Sequence, residues 1–237
     1  MTIAPVISSA TAPRRPRPGC AAVLFDLDGT LIDSAPDLAG AANDLRATQG
    51  LPPLPYERLR PMVGSGARGM VGVAFGVKPG DAGFEALRDA FLARYQQRML
   101  QETCVFAAMQ PVLRALTDAG LPWGIVTNKA MRFAEPVVQG LGLHTAGAVV
   151  LIAGDSTPHA KPHPAPLLEA ARRLAVPAGQ CVYVGDDLRD VQAGRSAGMA
   201  TLAAAWGYLG AGEAIEAWGA DHVLSTPMQL LNWLDLD

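Results

Sequence analysis

The sequence predicts an α/β protein: a doubly wound parallel sheet with a Rossmann-like core and an inserted helical cap domain. Strand patterns alternate with helical patterns over residues 105–237, and alternating units of this kind form parallel sheets. An apolar run at residues 21–25 stops at two carboxylates, which is typical of a buried parallel strand that ends at a site. Residues 34–104 show helical spacing without a strand pattern, so this block predicts the cap.

Length, charge and cysteine content exclude several classes of protein. A chain of 237 residues is long enough for one large domain, or for a domain with a smaller inserted one. Only 17% of the residues are charged and the formal net charge is −3, so we expect no nucleic-acid partner. No apolar run approaches the roughly 20 residues of a membrane helix, so we expect no membrane partner. The three cysteines indicate neither a disulfide framework nor a zinc site, and they favour a reducing, cytoplasmic compartment.

The chain divides into a tail, a core in two parts and the cap. Residues 1–19 are rich in proline, alanine, serine and arginine, a composition that predicts a disordered tail. Residues 20–33 and 105–237 are assigned to the core, and residues 34–104 to the cap. The first core strand therefore precedes the cap, and the other core strands follow it.

The cap begins with a predicted helix. Ser34 and Asp37 have the spacing of a capping box, with Ser34 as the N-cap and Asp37 at the third helical position. Gly50 and the prolines that follow it end this helix. Further cap helices are predicted at residues 56–62, in a segment that ends near residue 75, and at residues 84–100.

The rest of the core alternates strands and helices. Each strand is a short apolar run, and each helix has apolar residues three and four positions apart. The predicted strands cover residues 123–126, 148–153, 181–184, 199–203 and 221–224, with helices at about 112–119, 132–140, 167–174, 191–197 and 228–234.

The acidic end of the first strand, which reads Asp-Leu-Asp-Gly-Thr, indicates a cation site. Side chains alternate along a strand, so Asp26 and Asp28 point to the same side. Two carboxylates that close repel each other unless a proton or a cation lies between them. Mg²⁺ prefers oxygen ligands, so we expect Mg²⁺ as the cofactor. For this pair alone, a solvated acidic turn is the simpler interpretation.

Other polar residues follow the later strands at the same edge of the sheet. Because parallel strands have their carboxyl ends at one edge, these residues can converge on the acidic pair. Each has a simpler explanation alone, as a helix cap, a solvated lysine or a turn. Together, carboxylates, a hydroxyl and a lysine predict a phosphoryl-transfer site. The residues are Thr127, Asn128, Lys161, Asp186, Asp187 and Asp190.

These motifs resemble those of the haloacid dehalogenase-like hydrolase superfamily, in the same order along the chain. The resemblance extends from about residue 20 to the C-terminus. The helical insertion resembles the C1-type cap of the phosphoglycolate phosphatase-like group. Residues 132–136 are closer to bacterial N-acetylmuramic acid 6-phosphate phosphatases, a branch that is often labelled phosphoglycolate phosphatase.

The resemblance implies a role for each motif. Asp26 is the nucleophile that forms an aspartyl-phosphate, and Asp28 protonates the leaving oxygen and then activates water. Magnesium is held by Asp26, Asp186 and the backbone carbonyl of Asp28. Thr127 and Lys161 bind the transferring oxygens, and Lys161 also offsets the repulsion around Asp26. The auxiliary groups are Asp187, Asp190 and Asn128.

A glycine-rich segment at residues 64–69 matches the dinucleotide-binding fingerprint letter for letter. It follows no predicted strand and lies inside the helical block, so we assign no nicotinamide or flavin site to it. We interpret it as a turn between cap helices, in which the Gly66 amide and the Arg68 guanidinium face the site and bind an anionic substrate group. A flexible hinge with Arg68 in solvent is the alternative. Lys129 is a further candidate for substrate binding.

The predicted function is a Mg²⁺-dependent phosphate monoester hydrolase that acts on a small phosphorylated acid of the phosphoglycolate type. An N-acetylmuramic acid 6-phosphate phosphatase of cell-wall recycling is the main alternative, since both substrates carry a carboxylate. A phosphosugar mutase and a phosphorelay receiver share parts of the pattern, but receivers lack the helical insertion. The expected partner is a small phosphorylated metabolite, and the expected assembly is a monomer or a homodimer.

Overall fold

The computed structural model describes residues 17–210 and 212–236. Of the tail predicted over residues 1–19, residues 1–16 therefore lie outside the described part of the chain. At the start of the described chain, the Arg17 amide donates to the Leu234 carbonyl, 2.7 Å away, and its guanidinium stacks on the Trp233 ring. Among the described residues, no helix combines the length and the apolar character that crossing a membrane requires.

A parallel sheet forms the centre of the core. The strands of the described chain are β1 (Ala22–Phe25), β2 (Ile32–Asp33), β3 (Cys104–Val105), β4 (Trp123–Val126), β5 (Ala148–Ile152), β6 (Cys181–Gly185), β7 (Ala200–Ala204) and β8 (His222–Leu224). Six of them form one sheet in the order β5-β4-β1-β6-β7-β8, and each neighbouring pair is parallel. The chain thus crosses from β1 to both sides of the sheet, which confirms the predicted doubly wound fold.

The cap helices follow β2 and precede β3. They are α1 (Ala35–Thr48), α2 (Tyr56–Leu59), α3 (Gly66–Phe75) and α4 (Phe84–Arg98), and a 3₁₀ segment, Arg60–Ser65, joins α2 to α3. The helix predicted at residues 56–62 is therefore too long. Pro61 has no backbone N–H to donate within an α-helix, so the chain tightens into the 3₁₀ segment there. The cap helices pack around a second buried cluster, which includes Leu59, Met70 and Phe91 and which Phe133 and Tyr208 of the core also join.

Core helices cover both faces of the sheet. They are α5 (Met109–Asp118), α6 (Met131–Gly140), α7 (Ala165–Leu174), α8 (Leu188–Ser196) and α9 (Gln229–Trp233). Val23 and Phe25 pack in a buried cluster with residues of α5, α6 and α9. Leu24 points the other way and packs with residues of α7 and α8. Burial on both faces explains why these strands read as continuous apolar runs.

Two local predictions at the cap entrance are wrong. Ser34 is the N-cap of α1, but its hydroxyl accepts no hydrogen bond from a helix amide and instead donates to Asp28. Asp37 accepts hydrogen bonds from the Thr103 amide and hydroxyl on the returning chain, at 2.9 and 2.7 Å, so no capping box forms. The second wrong prediction is that residues 34–104 contain no strand. Cys104 belongs to β3 and pairs with Asp33 of β2 in an antiparallel ladder. Strands of two residues are too short to produce an alternating pattern.

Candidate active site

The carboxyl ends of β1, β4 and β6 and the loop after β5 bring the predicted polar residues to one edge of the sheet. Lys161 is 5% exposed and forms ion pairs with Asp26 at 2.8 Å and Asp190 at 2.7 Å. Its ammonium also donates to the Tyr183 hydroxyl, 2.8 Å away. Burial lowers the pKa of Lys161, but the Asp190 and Asp26 carboxylates outweigh burial and raise its pKa above the usual value. Lys161 therefore remains charged beside Asp26.

Three carboxylates form a group with the geometry of a cation site. Oxygens of Asp26, Asp186 and Asp190 all lie within 4.8 Å of one another. Burial, with Asp190 and Asp28 nearby, raises the pKa of Asp26 to about 7 although Lys161 opposes the shift. Burial and the Asp26 charge also raise the pKa of Asp186 well above its usual value. Lys161 supplies one positive charge to this group of three carboxylates, and a hard divalent cation with oxygen ligands would offset the remaining repulsion.

Asp186 is held by groups from two other loops. Its Oδ1 accepts from the Thr30 hydroxyl at 2.8 Å, and its Oδ2 accepts from the Tyr208 amide at 2.8 Å. The backbone approaches it closely: a Cβ on Gly207 would lie 2.1 Å from the Asp186 Cβ. Gly29 has φ +88°, and a Cβ there would meet an Asp186 oxygen at 2.2 Å, so both the turn and the contact require glycine.

Asp28 is oriented by Ser34 and Lys129. The Ser34 hydroxyl donates to Asp28 Oδ1, and Lys129 Nζ lies 2.9 and 3.0 Å from the two carboxylate oxygens. Burial lowers the pKa of Lys129, but Asp28 and the adjacent Tyr95 outweigh burial and raise it. Lys129 therefore brings a buried positive charge to the acidic strand end. Tyr208 supports the same turn, since its hydroxyl accepts from the Ser34 amide at 2.8 Å.

Thr127 and Asn128 follow β4. Thr127 is 2% exposed, faces the cavity described below, and accepts a hydrogen bond from the Lys129 amide at 3.1 Å. Asn128 makes two hydrogen bonds with the backbone of Lys161, at 2.9 Å to its N–H and 3.0 Å to its carbonyl. These two bonds join the strand ends and hold the Lys161 loop in place.

Asp187 and Asp190 form the capping box of α8. Asp187 accepts from the Arg189 amide, and Asp190 accepts from the Asp187 amide at 3.1 Å. Burial raises the pKa of Asp187, but hydrogen bonds and charge from Arg189 outweigh burial and lower it. The Arg189 guanidinium also donates to the Gly64 carbonyl, so this turn links the core to the cap.

A cavity of about 460 Å³ lies between the cap and the core. The predicted cap residues Gly66 and Arg68 line it, as does Lys129. The glycine-rich segment comprises the end of the 3₁₀ segment and, from Gly66, the first turn of α3, so it is helical rather than the predicted turn, and it follows no strand. The predicted catalytic, metal-binding and substrate-binding residues all line this one cavity.

Sequence reasoning missed several residues of the site. Thr30 belongs to the predicted Asp-Leu-Asp-Gly-Thr motif but had no role of its own. Tyr183 lies in the middle of β6 and not at the strand end, where the predicted polar groups lie. Its hydroxyl contacts Lys161, a residue distant in the chain, so no local pattern marks it. Ser34 was interpreted as a helix cap, and no local pattern marks Tyr208.

Comparisons with known proteins agree with this geometry. The sequence profile of the haloacid dehalogenase-like hydrolases matches residues 20–198. The chain belongs to the haloacid dehalogenase-like hydrolase family. It is 42% identical to an N-acetylmuramic acid 6-phosphate phosphatase of Pseudomonas aeruginosa, over 90% of this chain and 94% of that protein. It is 46% identical to a phosphoglycolate phosphatase of Xanthomonas campestris, over 88% of this chain and 94% of that protein.

Solved structures of this family share the fold. A predicted phosphoglycolate phosphatase from Haemophilus somnus superposes with a TM-score of 0.80 at 25% identity, covering 91% of this chain and 98% of that chain. The chain is thus a phosphoglycolate phosphatase-like hydrolase, and the family resemblance inferred from the motifs is confirmed. Mg²⁺ dependence and an aspartyl-phosphate intermediate are general features of this family.

Proposed function

We propose that the protein hydrolyses phosphate monoesters through an aspartyl-phosphate on Asp26, with Mg²⁺ as its cofactor. The main support is the surroundings of Asp26: a buried lysine 2.8 Å from its carboxylate and two further carboxylates within 4.8 Å. An anionic nucleophile can approach an anionic phosphate only where positive charge offsets the Coulomb repulsion. Lys161 supplies part of that charge.

The donor set fits a magnesium ion. The carboxylates of Asp26 and Asp186, together with the backbone carbonyl of Asp28, are the oxygen ligands that we assign to it. Asp190 pairs with Lys161 and caps α8, so we assign it an auxiliary role. When bound, the ion shields charge between the nucleophile and the phosphate.

The other residues bind the transferring group and move protons. Asp26 attacks phosphorus, and Asp28 donates a proton to the leaving oxygen and later accepts one from the attacking water. Thr127 donates its hydroxyl proton to a phosphoryl oxygen, and Lys161 binds another. The cap keeps bulk water from the phosphoenzyme until the leaving group departs.

The substrate is a small phosphorylated acid. Phosphoglycolate fits the inner part of the site, where Lys129 lies within reach of a carboxylate next to the phosphate. N-acetylmuramic acid 6-phosphate is a second candidate, and the size of the cavity favours it. A volume of about 460 Å³ lies in the range of about 300–1,000 Å³ that drug-sized ligands occupy. Apolar side chains such as Leu38, Phe91 and Leu92 also line the cavity.

Hydrolysis of p-nitrophenyl phosphate by wild type and Asp26→Asn tests the catalytic proposal. The variant is expected to lose at least about 10³-fold in kcat, since no covalent path remains. Asp118→Asn, an exposed change on α5, is the matched control. An Asp26→Asn protein with near wild-type rates would contradict the assignment of Asp26 as the nucleophile.

The substrate is tested separately. Values of kcat/KM measured for phosphoglycolate and for N-acetylmuramic acid 6-phosphate show which of the two the wild-type enzyme prefers.

A cytoplasmic location and a monomeric or homodimeric state complete the proposal. Cys20, Cys104 and Cys181 are all free thiols in the structure, which supports a reducing compartment. Analytical ultracentrifugation distinguishes the two assemblies, and fractionation of the source cell tests the location.

A further inference from the structure

One wall of the cavity is a continuous series of side-chain contacts that begins at the reacting groups. Lys129 contacts Asp28 at 2.9 Å and lies 4.8 Å from the centre of the Tyr95 ring. The ring centres of Tyr95 and Phe133 are 5.6 Å apart. The Arg132 guanidinium lies over the Phe133 ring, 4.6 Å from its centre. Two aromatic rings therefore separate Arg132 from the acidic strand end.

Two arginines supply positive charge at the open side of the cavity. Arg132 on α6 and Arg68 on α3 line the cavity and are exposed, whereas Lys161 and Asp186 are buried at its floor. Within the described chain, neither guanidinium has an acidic side chain in ion-pair range. A guanidinium stacked on an aromatic ring keeps its N–H edge available, and that edge matches a carboxylate with two parallel hydrogen bonds.

The middle of this wall is aromatic. Tyr95 is 1% exposed and lines the cavity, and its enclosed hydroxyl lies beside the Lys129 ammonium. The charged group of this wall that is open to a bound molecule is therefore the Arg132 guanidinium at its outer end. The wall suits a molecule that is anionic at its outer end.

We propose that Arg132, together with Arg68 of the cap, forms a subsite for a substrate carboxylate that lies about one sugar ring away from the phosphate. The subsite rests on the proposed function, because that function locates the phosphate at Asp26. It selects phosphate monoesters of sugar acids. A two-carbon phosphorylated acid is too short to reach it, since its carboxylate adjoins the phosphate and meets Lys129.

Two sugar phosphates that differ only in the carboxylate test the subsite. N-acetylmuramic acid 6-phosphate carries a lactyl ether that N-acetylglucosamine 6-phosphate lacks. Arg132→Met keeps an unbranched stem over Phe133 and removes the charged fork. We expect it to lower kcat/KM for the muramic acid ester about 10- to 100-fold more than for the glucosamine ester, mainly through KM. Arg132→Lys is expected to keep part of the preference, because lysine retains the charge without the fork.

The control is Arg114→Met, an exposed arginine on α5 outside the cavity, which is expected to leave both kcat/KM values unchanged. A wild-type enzyme with equal kcat/KM for the two sugars would overturn the subsite, as would an Arg132→Met variant that lowers both values equally. If p-nitrophenyl phosphate is still hydrolysed in those cases, the subsite fails while the proposed function stands. If wild type hydrolyses no phosphate ester at all, both fail.

Discussion

Replacing Lys161 tests how the site balances its buried charges. The side chain is 3% exposed and its ammonium lies 2.8 Å from Asp26 and 2.7 Å from Asp190. Lys161→Met preserves most of the volume and leaves two buried carboxylates without their shared cation. Removing one partner of a buried ion pair costs about 3–5 kcal/mol. For a protein of this size, that loss lowers Tm by about 6–20 °C.

The stability loss is expected to depend on pH. Burial already raises the pKa of Asp26 to about 7, and loss of the lysine charge raises it further. A carboxyl whose pKa is higher in the folded than in the unfolded state binds more protons when folded, so its contribution to stability falls as pH rises between the two pKa values. The Tm deficit of Lys161→Met is therefore larger at about pH 8 than at about pH 5. Mg²⁺ reduces the deficit, because it supplies positive charge to the same carboxylates.

Steady-state kinetics with p-nitrophenyl phosphate measure the catalytic part of the same prediction. Loss of a charged donor to the transferring phosphoryl group is expected to lower kcat about 10²–10³-fold. Thermal unfolding followed by circular dichroism gives the Tm values at both pH values. Lys78→Met, an exposed lysine after α3, is the matched control. Equal Tm deficits at the two pH values, with kcat within tenfold of wild type, would refute the reasoning.

Three further substitutions test two residues that support the site and the proposed nucleophile itself. Tyr208→Phe removes the acceptor of two backbone amides at the start of α1, so denaturant titration should give a loss of about 1–3 kcal/mol, and an unchanged midpoint would contradict this. Gly207→Ala creates a clash with Asp186, and isothermal calorimetry should record weaker Mg²⁺ binding, at least about tenfold. In EDTA, Asp26→Asn should lose less stability than wild type as pH rises from about 4 to 7, because it removes a carboxyl with a raised pKa. Parallel pH curves would refute that expectation.

The sheet and the catalytic groups were predictable because their signals are local. Each buried strand is a continuous apolar run, and the polar residue that ends it, such as Asp26 or Thr127, marks the edge where parallel strands open. Chain topology then brings those ends together, so the order of motifs was enough to group Lys161 with Asp186. The 3.6-residue period likewise identified the cap helices from about residue 34 onward.

The supporting residues could not be predicted, because their roles depend on contacts between distant segments. Tyr208 lies in the loop after β7, yet its hydroxyl caps α1 and its amide holds Asp186. Ser34 matched a capping box locally, but in the folded chain its hydroxyl is oriented by donating to Asp28 and caps no helix amide. Tyr95 lies on an apolar stripe that is typical of a helix core. Only the folded structure places its ring between Lys129 and Phe133 in the wall of the cavity.

The covalent intermediate can be observed directly. Wild-type protein is mixed with Mg²⁺ and a ³²P-labelled phosphate monoester, quenched in acid within milliseconds, and digested for peptide mapping. We expect acid-stable, hydroxylamine-sensitive label on the peptide that contains Asp26, as an acyl phosphate requires, and no label in Asp26→Asn. Label on any other residue, or turnover by wild type with no labelled protein at any quench time, would contradict the assignment of Asp26 as the nucleophile.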